Sequence, residues 1–253
     1  MRTERFEKIL DYLKTEGRSN LAELADINGV SVDTVRRDLA EMEEKGLVRR
    51  VRGGAVICED DPVKKSFGIR SELHHDEKIE LCHGLKSIIT DGQTVALNNG
   101  TTNIEAAKYL CENFERLNII TNSLEVLGLM LEKKKFNVIV PGGLVDLKEK
   151  SLYGTHCESD IRNYNIDVAL LAVNAVSSQK GITDFRFNEV GVINAMMAGA
   201  SKKYVLADSS KFETVSCVNI CKIDRIDGFL TDRFIDEKTA KLYVSLGCRL
   251  YIN

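Results

Sequence analysis

The chain has 253 residues, 43% of them hydrophobic and 29% charged, the composition of a soluble globular protein with room for one large domain or a small and a medium one. A net charge of −3 confines any nucleic-acid surface to a local patch. No apolar run reaches the roughly 18–20 residues that span a bilayer. The start, "MRTERFEKIL", reads as a charged helix without the apolar core of a signal peptide. Seven scattered cysteines, an odd number, point to reduced thiols and a cytoplasmic protein rather than a disulfide framework.

The first 57 residues read as helix, helix, turn, helix and a tight hairpin. In "ERFEKILDYLKTEG", Phe6, Ile9, Leu10 and Leu13 fall at helical spacing and Gly17 stops the helix. "NLAELADING" gives a second, shorter helix ending at Gly29. Ser31 is a good N-cap for a third, whose apolar stripe is Val32, Val35, Leu39 and Met42. "LVRRV", Gly53-Gly54 and "AVI" form the hairpin. Residues 58–70, opening on "CEDDPVKKSF", read as a linker between a domain at 1–57 and a second at 71–253.

Beyond the linker, strand-like runs alternate with helical stretches. The runs are "QTVALNN", "LNIITNS", "FNVIVPGG", "IDVALLAV", "KKYVLADSS", "GFLTD" and "CRLYIN"; the helical patterns include 102–111, 124–133 and 188–200. This alternation predicts an α/β domain around a mostly parallel sheet covered on both faces.

On the third helix, Arg37 points almost opposite the apolar stripe, with Thr34 and Arg36 on its flanks. Outward arginine, threonine and serine near a helix N-terminus suit a recognition helix, because the guanidinium fork pairs bidentately with guanine. The hairpin arginines Arg49, Arg50 and Arg52 then form a wing on phosphates, with Gly53 and its neighbour allowing close backbone approach. The plainer reading is a solvated helix face: Arg37 is four residues from both Asp33 and Glu41, and residues 1–56 hold equal numbers of acidic and basic side chains. The ordered set of capped helix, outward arginines and basic glycine hairpin favours double-stranded DNA.

In the second domain, "NNGTT" (Asn98, Asn99, Gly100, Thr101, Thr102) lies between a strand and a helix, where backbone N–H groups and the helix dipole receive phosphate. The plainer reading is a turn capped by Thr102. "TNS" (Thr121, Asn122, Ser123) and "PGG" (Gly142, Gly143) follow strands in the same way, so the three turns converge on one sheet edge. Lys211 in "ADSSKF" adds a cation for a bound anion. Cys217 and Cys221 lack the second pair or histidine that would complete a zinc set, so no metal is expected.

The stretch from "ERFEKILDYL" through "VSVDTVRRDLAEMEEKG" to "GGA" resembles the winged helix of the DeoR-type repressors of sugar catabolism. The resemblance implies Ser31, Thr34, Arg36 and Arg37 at an operator. It continues through "NNGTT", "TNS", "PGG", "VNAV" (with Asn174), "NEV" (with Glu189) and "ADSSKF", in the family's order, and Arg70 and Lys78 match the segment opening its second domain. Asn98 stands where the family usually has aspartate, and Ala172 and Ala175 where glycines are common; the "NAV" variant is similar to the lactose phosphotransferase repressor subgroup. The resemblance implies a Rossmann-like effector domain similar to ribose-5-phosphate isomerase, a sugar-phosphate effector, no cofactor, and a homo-oligomer, dimer or tetramer. A vestigial effector pocket and an activating role are the alternatives. The isomerase itself is the rival reading, but its chemistry needs a D-G-A-D-E run, and "LAVNA" (Leu171 to Ala175) has no carboxylate in the matching stretch, so no enzyme is expected.

Overall fold

The computed structural model describes residues 2–16, 18–44, 47–51, 53–57 and 67–253, which fall into two compact units, Met1–Leu73 and His74–Asn253. The first unit contains α1 (Arg2–Glu16), β1 (Arg18–Asn20), α2 (Leu21–Asn28), α3 (Val32–Glu44), β2 (Val48–Val51), β3 (Gly54–Ile57) and α4 (Phe67–Glu72). Two of these helices start for a local reason. Asn20 and Glu23 form a capping box on α2, and the left-handed Gly29 (φ 61°) closes that helix. The Ser31 hydroxyl accepts the Thr34 N–H at 3.3 Å at the head of α3. One apolar core joins Phe6, Ile9, Leu10 and Leu13 to Leu24, Val35, Leu39, Met42, Val48 and Ile69. Of the expected linker, residues 58–66 lie outside the described residues; its end is helical, since α4 buries Ile69 in this core.

The hairpin differs from the expectation in one respect. β1 adds to it, giving the antiparallel order β1-β3-β2 with Asn20 opposite Gly54. A Cβ at residue 54 would collide with the carbonyl oxygen of Ser19. Gly54 is therefore demanded by the passage of β1. Gly53 makes the turn in the left-handed region, φ 85°.

The second unit runs α5 (His75–Cys82), β4 (Thr94–Leu97), α6 (Thr101–Asn113), β5 (Asn118–Thr121), α7 (Leu124–Lys133), β6 (Asn137–Ile139), β7 (Leu144–Asp146), β8 (Ser151–Tyr153), α8 (Thr155–Ile161), β9 (Ile166–Ala172), β10 (Ala175–Ser177), β11 (Gly181–Asp184), α9 (Phe187–Gly199), β12 (Ala200–Leu206), β13 (Val218–Cys221), β14 (Gly228–Thr231), α10 (Glu237–Ser245) and β15 (Leu250–Ile252). Seven strands form one parallel sheet in the order β6-β5-β4-β9-β12-β14-β15, built from the seven expected runs. Alternate residues supply two cores: Ala169 and Leu171 pack with α8 and α9, Val168 and Leu170 with α5, α6 and α7. The strand order reverses between β4 and β9, and a crevice opens at such a switch beyond the carboxyl ends of the strands. Two accessory sheets, β7-β8 and β10-β11-β13, are antiparallel.

Candidate functional site

On α3, Val35, Leu39 and Met42 are buried and Arg36 and Arg37 exposed. The Arg36 guanidinium meets the Asp33 carboxylate at 2.9 Å, both well exposed. Arg37 has no ion pair or hydrogen bond among the described residues, so Asp33 does not restrain it. Thr34 is half-buried, its hydroxyl 2.9 Å from that of Ser31. Arg50 is engaged within the unit: its backbone N–H and Nε donate to Glu43 at 2.8 and 2.7 Å, and this holds the Glu43 carboxyl below its ordinary pKa. A phosphate contact by Arg50 therefore requires an exchange of partners. Arg52 and the side chain of Arg49 lie outside the described residues.

Asp38, next to the arginine pair, was not singled out by the sequence. It is buried and receives Arg5 Nε at 2.8 Å and Nη2 at 3.1 Å, tying α1 to α3 beneath the exposed arginines. Its position among Val35, Leu39 and Met42 on the inward stripe was the available signal.

In the second unit, "NNGTT" occupies the switch between β4 and β9. α6 starts at Gly100 with no side-chain cap and no acidic residue in its first turn. Thr102, expected as a possible cap, does not cap it. A Cβ on Gly100 would stand 2.5 Å from that of Ala172, so glycine is required where alanine already fills the facing position.

Asn98 is engaged on every side by the protein itself. Its Nδ2 donates to the carbonyls of Asn99 and Ala172, each at 3.0 Å, and its Oδ1 accepts from Ala172 N at 2.8 Å and Asn103 Nδ2 at 3.1 Å. All four hydrogen-bonding positions are used, and the side chain is fully buried. Asn98 clamps β4 to β9, its amide engaged wholly within the protein. Asn122 is a second clamp: its Oδ1 accepts Asn99 N at 2.8 Å, and its Nδ2 donates to Leu152 O at 2.9 Å and Glu189 Oε1 at 3.0 Å. Thr121 and Ser123 are also buried; Thr121 Oγ1 accepts from Ser123 N and Ser123 Oγ caps α7.

Glu189 lies fully buried, with the Asn122 amide donating to its carboxylate. Burial pushes its carboxyl from the ordinary 4.5 up to about 7, against the charge of Arg186 and the hydrogen bond from Asn122. A carboxyl whose pKa is raised on folding stabilises the fold fully below its unfolded pKa and loses that contribution as pH rises through the folded value. Glu189→Gln should therefore gain stability relative to wild type as pH rises, by about 2 kcal/mol between about pH 5 and 7. Denaturant unfolding at both pH values checks this; a difference that is constant with pH would place the folded pKa near the ordinary one.

Arg186 and Asp184 were missed by the sequence. The buried guanidinium donates to Asn99 O at 2.6 Å, Ala172 O at 3.0 Å and both Asp184 oxygens at 2.9 and 2.6 Å. It grips the two carbonyls that Asn98 also holds, and Asp184 accepts Asn174 N at 3.1 Å. Among the remaining expected residues, Thr101, Asn174 and Lys211 are half-buried, and Gly142 and Gly143 exposed. Gly142 N donates to Asp160 at 3.2 Å, tying the "PGG" turn to α8. Lys211 follows β12 in a single 3₁₀ turn. Its charge, with those of His74 and Lys78, holds the buried Asp208 carboxyl below its ordinary pKa despite desolvation. The site is thus a buried amide and carboxylate scaffold beneath an open helix start, with a half-buried lysine after β12.

Residues 73–233 match the DeoR C terminal sensor domain and residues 5–61 the DeoR-like helix-turn-helix domain. The HTH-type transcriptional repressor CsqR of Escherichia coli (strain K12) is 31% identical, the match spanning 90% of this chain and 87% of that protein. The HTH-type transcriptional repressor GlcR of Bacillus subtilis (strain 168) is 30% identical over 98% of this chain and 95% of its own length. The glycerol-3-phosphate regulon repressor of Escherichia coli (strain K12) is 28% identical over 91% and 90%. Ribose 5-phosphate isomerase A of Methanocaldococcus jannaschii aligns with 55% of the chain and 55% of its own at 15% identity and a TM-score of 0.41, too distant to carry an argument. With both domain models matched, and a relative 31% identical along nearly the whole chain, the protein belongs to the DeoR family of DNA-binding transcriptional regulators.

Proposed function

We propose that this regulator represses a carbohydrate-utilisation operon and is released from its operator by a phosphorylated sugar bound beyond the strand ends of β4, β5, β9 and β12. One observation carries the effector reading: α6 begins at the topological switch with an uncapped first turn, no nearby acidic residue in that turn, and Thr101 half-buried beside it. Lys211 supplies further positive charge on the same side of the sheet. The relatives named above are repressors, which supports the sign. The protein acts as a regulator and not as an isomerase, since the run from Leu171 to Ala175 offers no carboxylate to move a proton between sugar carbons. No helix among the described residues is long and apolar enough to cross a membrane, in keeping with a cytoplasmic site of action. An operator of two half-sites calls for at least a dimer of this chain. The effector shifts operator binding only by its differential affinity for the two states.

Lys211→Ala should bind operator normally and need about tenfold more inducer. The residue is half-buried, which keeps a charge-assisted contact near the lower end of its range, about 1.5 kcal/mol. Thr101→Val should behave similarly, losing a hydroxyl but keeping the shape of the turn. Operator release titrated with sugar phosphates decides; an unchanged inducer response in Lys211→Ala would remove the anion from this edge.

A further inference from the structure

We infer that Asn99, rather than Asn98, is the side chain by which this chain selects the sugar part of its effector; the inference rests on the effector site proposed above. Asn99 is the last residue before Gly100, the open start of α6, and it is fully buried. Its backbone is fixed from both sides: the N–H donates to Asn122 Oδ1 at 2.8 Å, and the carbonyl receives Arg186 and Asn98. Its Nδ2 donates to Glu149 O at 3.0 Å, in the turn of the β7–β8 hairpin. That bond fixes the amide's orientation, because the opposite setting would press two carbonyl oxygens together. The Asn99 Oδ1 is then left buried with no donor among the described residues.

A buried acceptor without a donor is costly, and the cost is relieved by whatever brings an O–H or N–H to it. Placed one residue before a phosphate-receiving helix start, the group it suits is a hydroxyl on the carbon next to a phosphoryl ester. The phosphate takes the N–H groups of α6, and the neighbouring hydroxyl donates to Asn99 Oδ1. Asn98 cannot do this, since its amide is spent on β9. With its nitrogen held by Glu149, the Asn99 amide offers an acceptor that cannot rotate away. The ligand class is a phosphate monoester of a polyhydroxylated carbon chain.

The test uses the full-length protein and three probes: inorganic phosphate, propyl phosphate, and glycerol 3-phosphate, which has the same carbon chain with hydroxyls. Affinities come from calorimetric titration. Wild type should bind glycerol 3-phosphate roughly ten- to hundredfold tighter than propyl phosphate. Asn99→Ser should leave inorganic and propyl phosphate nearly unchanged and bring that ratio close to one. Asn99→Asp, which keeps an acceptor oxygen, should weaken all three anions but preserve the ratio, and it guards against a folding defect in the serine variant. If phosphates bind and the ratio survives Asn99→Ser, or is already one in wild type, the Asn99 assignment is overturned and the helix-start site stands. If none of the three binds wild type, the effector site and the assignment fall together.

Discussion

Arg186→Ala is expected to destabilise the sensor domain by about 3–5 kcal/mol, the largest single-residue effect foreseen here. The guanidinium is buried and makes four hydrogen bonds to Asp184 and to the carbonyls of Asn99 and Ala172. Removing it breaks the buried ion pair with Asp184 and leaves the Asn98 amide still holding those two carbonyls. Arg186→Lys should rescue little, since a point charge cannot bridge two carbonyls and a carboxylate as a planar fork does. Urea unfolding of the full-length chain measures this; a loss below about 1 kcal/mol for the alanine variant would mean that the network contributes little.

The second large effect lies on the DNA side. Arg37→Ala should weaken specific operator binding by roughly 1–3 kcal/mol, up to about a hundredfold, and relax base preference at one position of each half-site. Arg37 is exposed on α3 and has no partner among the described residues, whereas Arg36 is paired with Asp33 and Arg50 with Glu43. A free guanidinium gives up no ion pair on entering the groove, so its full contact appears in the affinity. Competition against mutated duplexes at matched salt is the measurement, because salt alone shifts affinity by orders of magnitude. Wild-type affinity in Arg37→Ala would remove α3 as the recognition helix.

The strands of the parallel sheet were legible because each is a short apolar run bounded by a polar turn, as in "IDVALLAV" and "KKYVLADSS". The accessory strands were not: β7 exposes Leu144 and Val145 to solvent, and β10 and β11 exist only through pairing with each other and with β13. β1 carries one inward residue, Ser19, too weak a pattern to announce a strand. The sequence placed the three turns after strands that prove adjacent in the sheet, but could not rank their side chains. Asn98 and Asn99 are adjacent and chemically identical, yet one is saturated by β9 and the other keeps an unsatisfied oxygen. That difference depends on Asn103 in the next helix and on Ala172 and Glu149, which are distant in the chain. Arg186 was illegible for the same reason: its partners Asn99 and Ala172 meet only across the switch between β4 and β9.

The most direct measurement is operator affinity of the wild-type chain, on a duplex recovered by selection in vitro, at fixed salt, with and without a panel of sugar phosphates and their unphosphorylated sugars. The selected duplex should bind at least about a thousandfold more tightly than a scrambled one. At least one sugar phosphate should weaken that binding by roughly 5–150-fold while its free sugar leaves it unchanged. Failure to select any preferred duplex, or binding that no member of the panel alters, would contradict a DNA-binding regulator governed by a phosphorylated sugar.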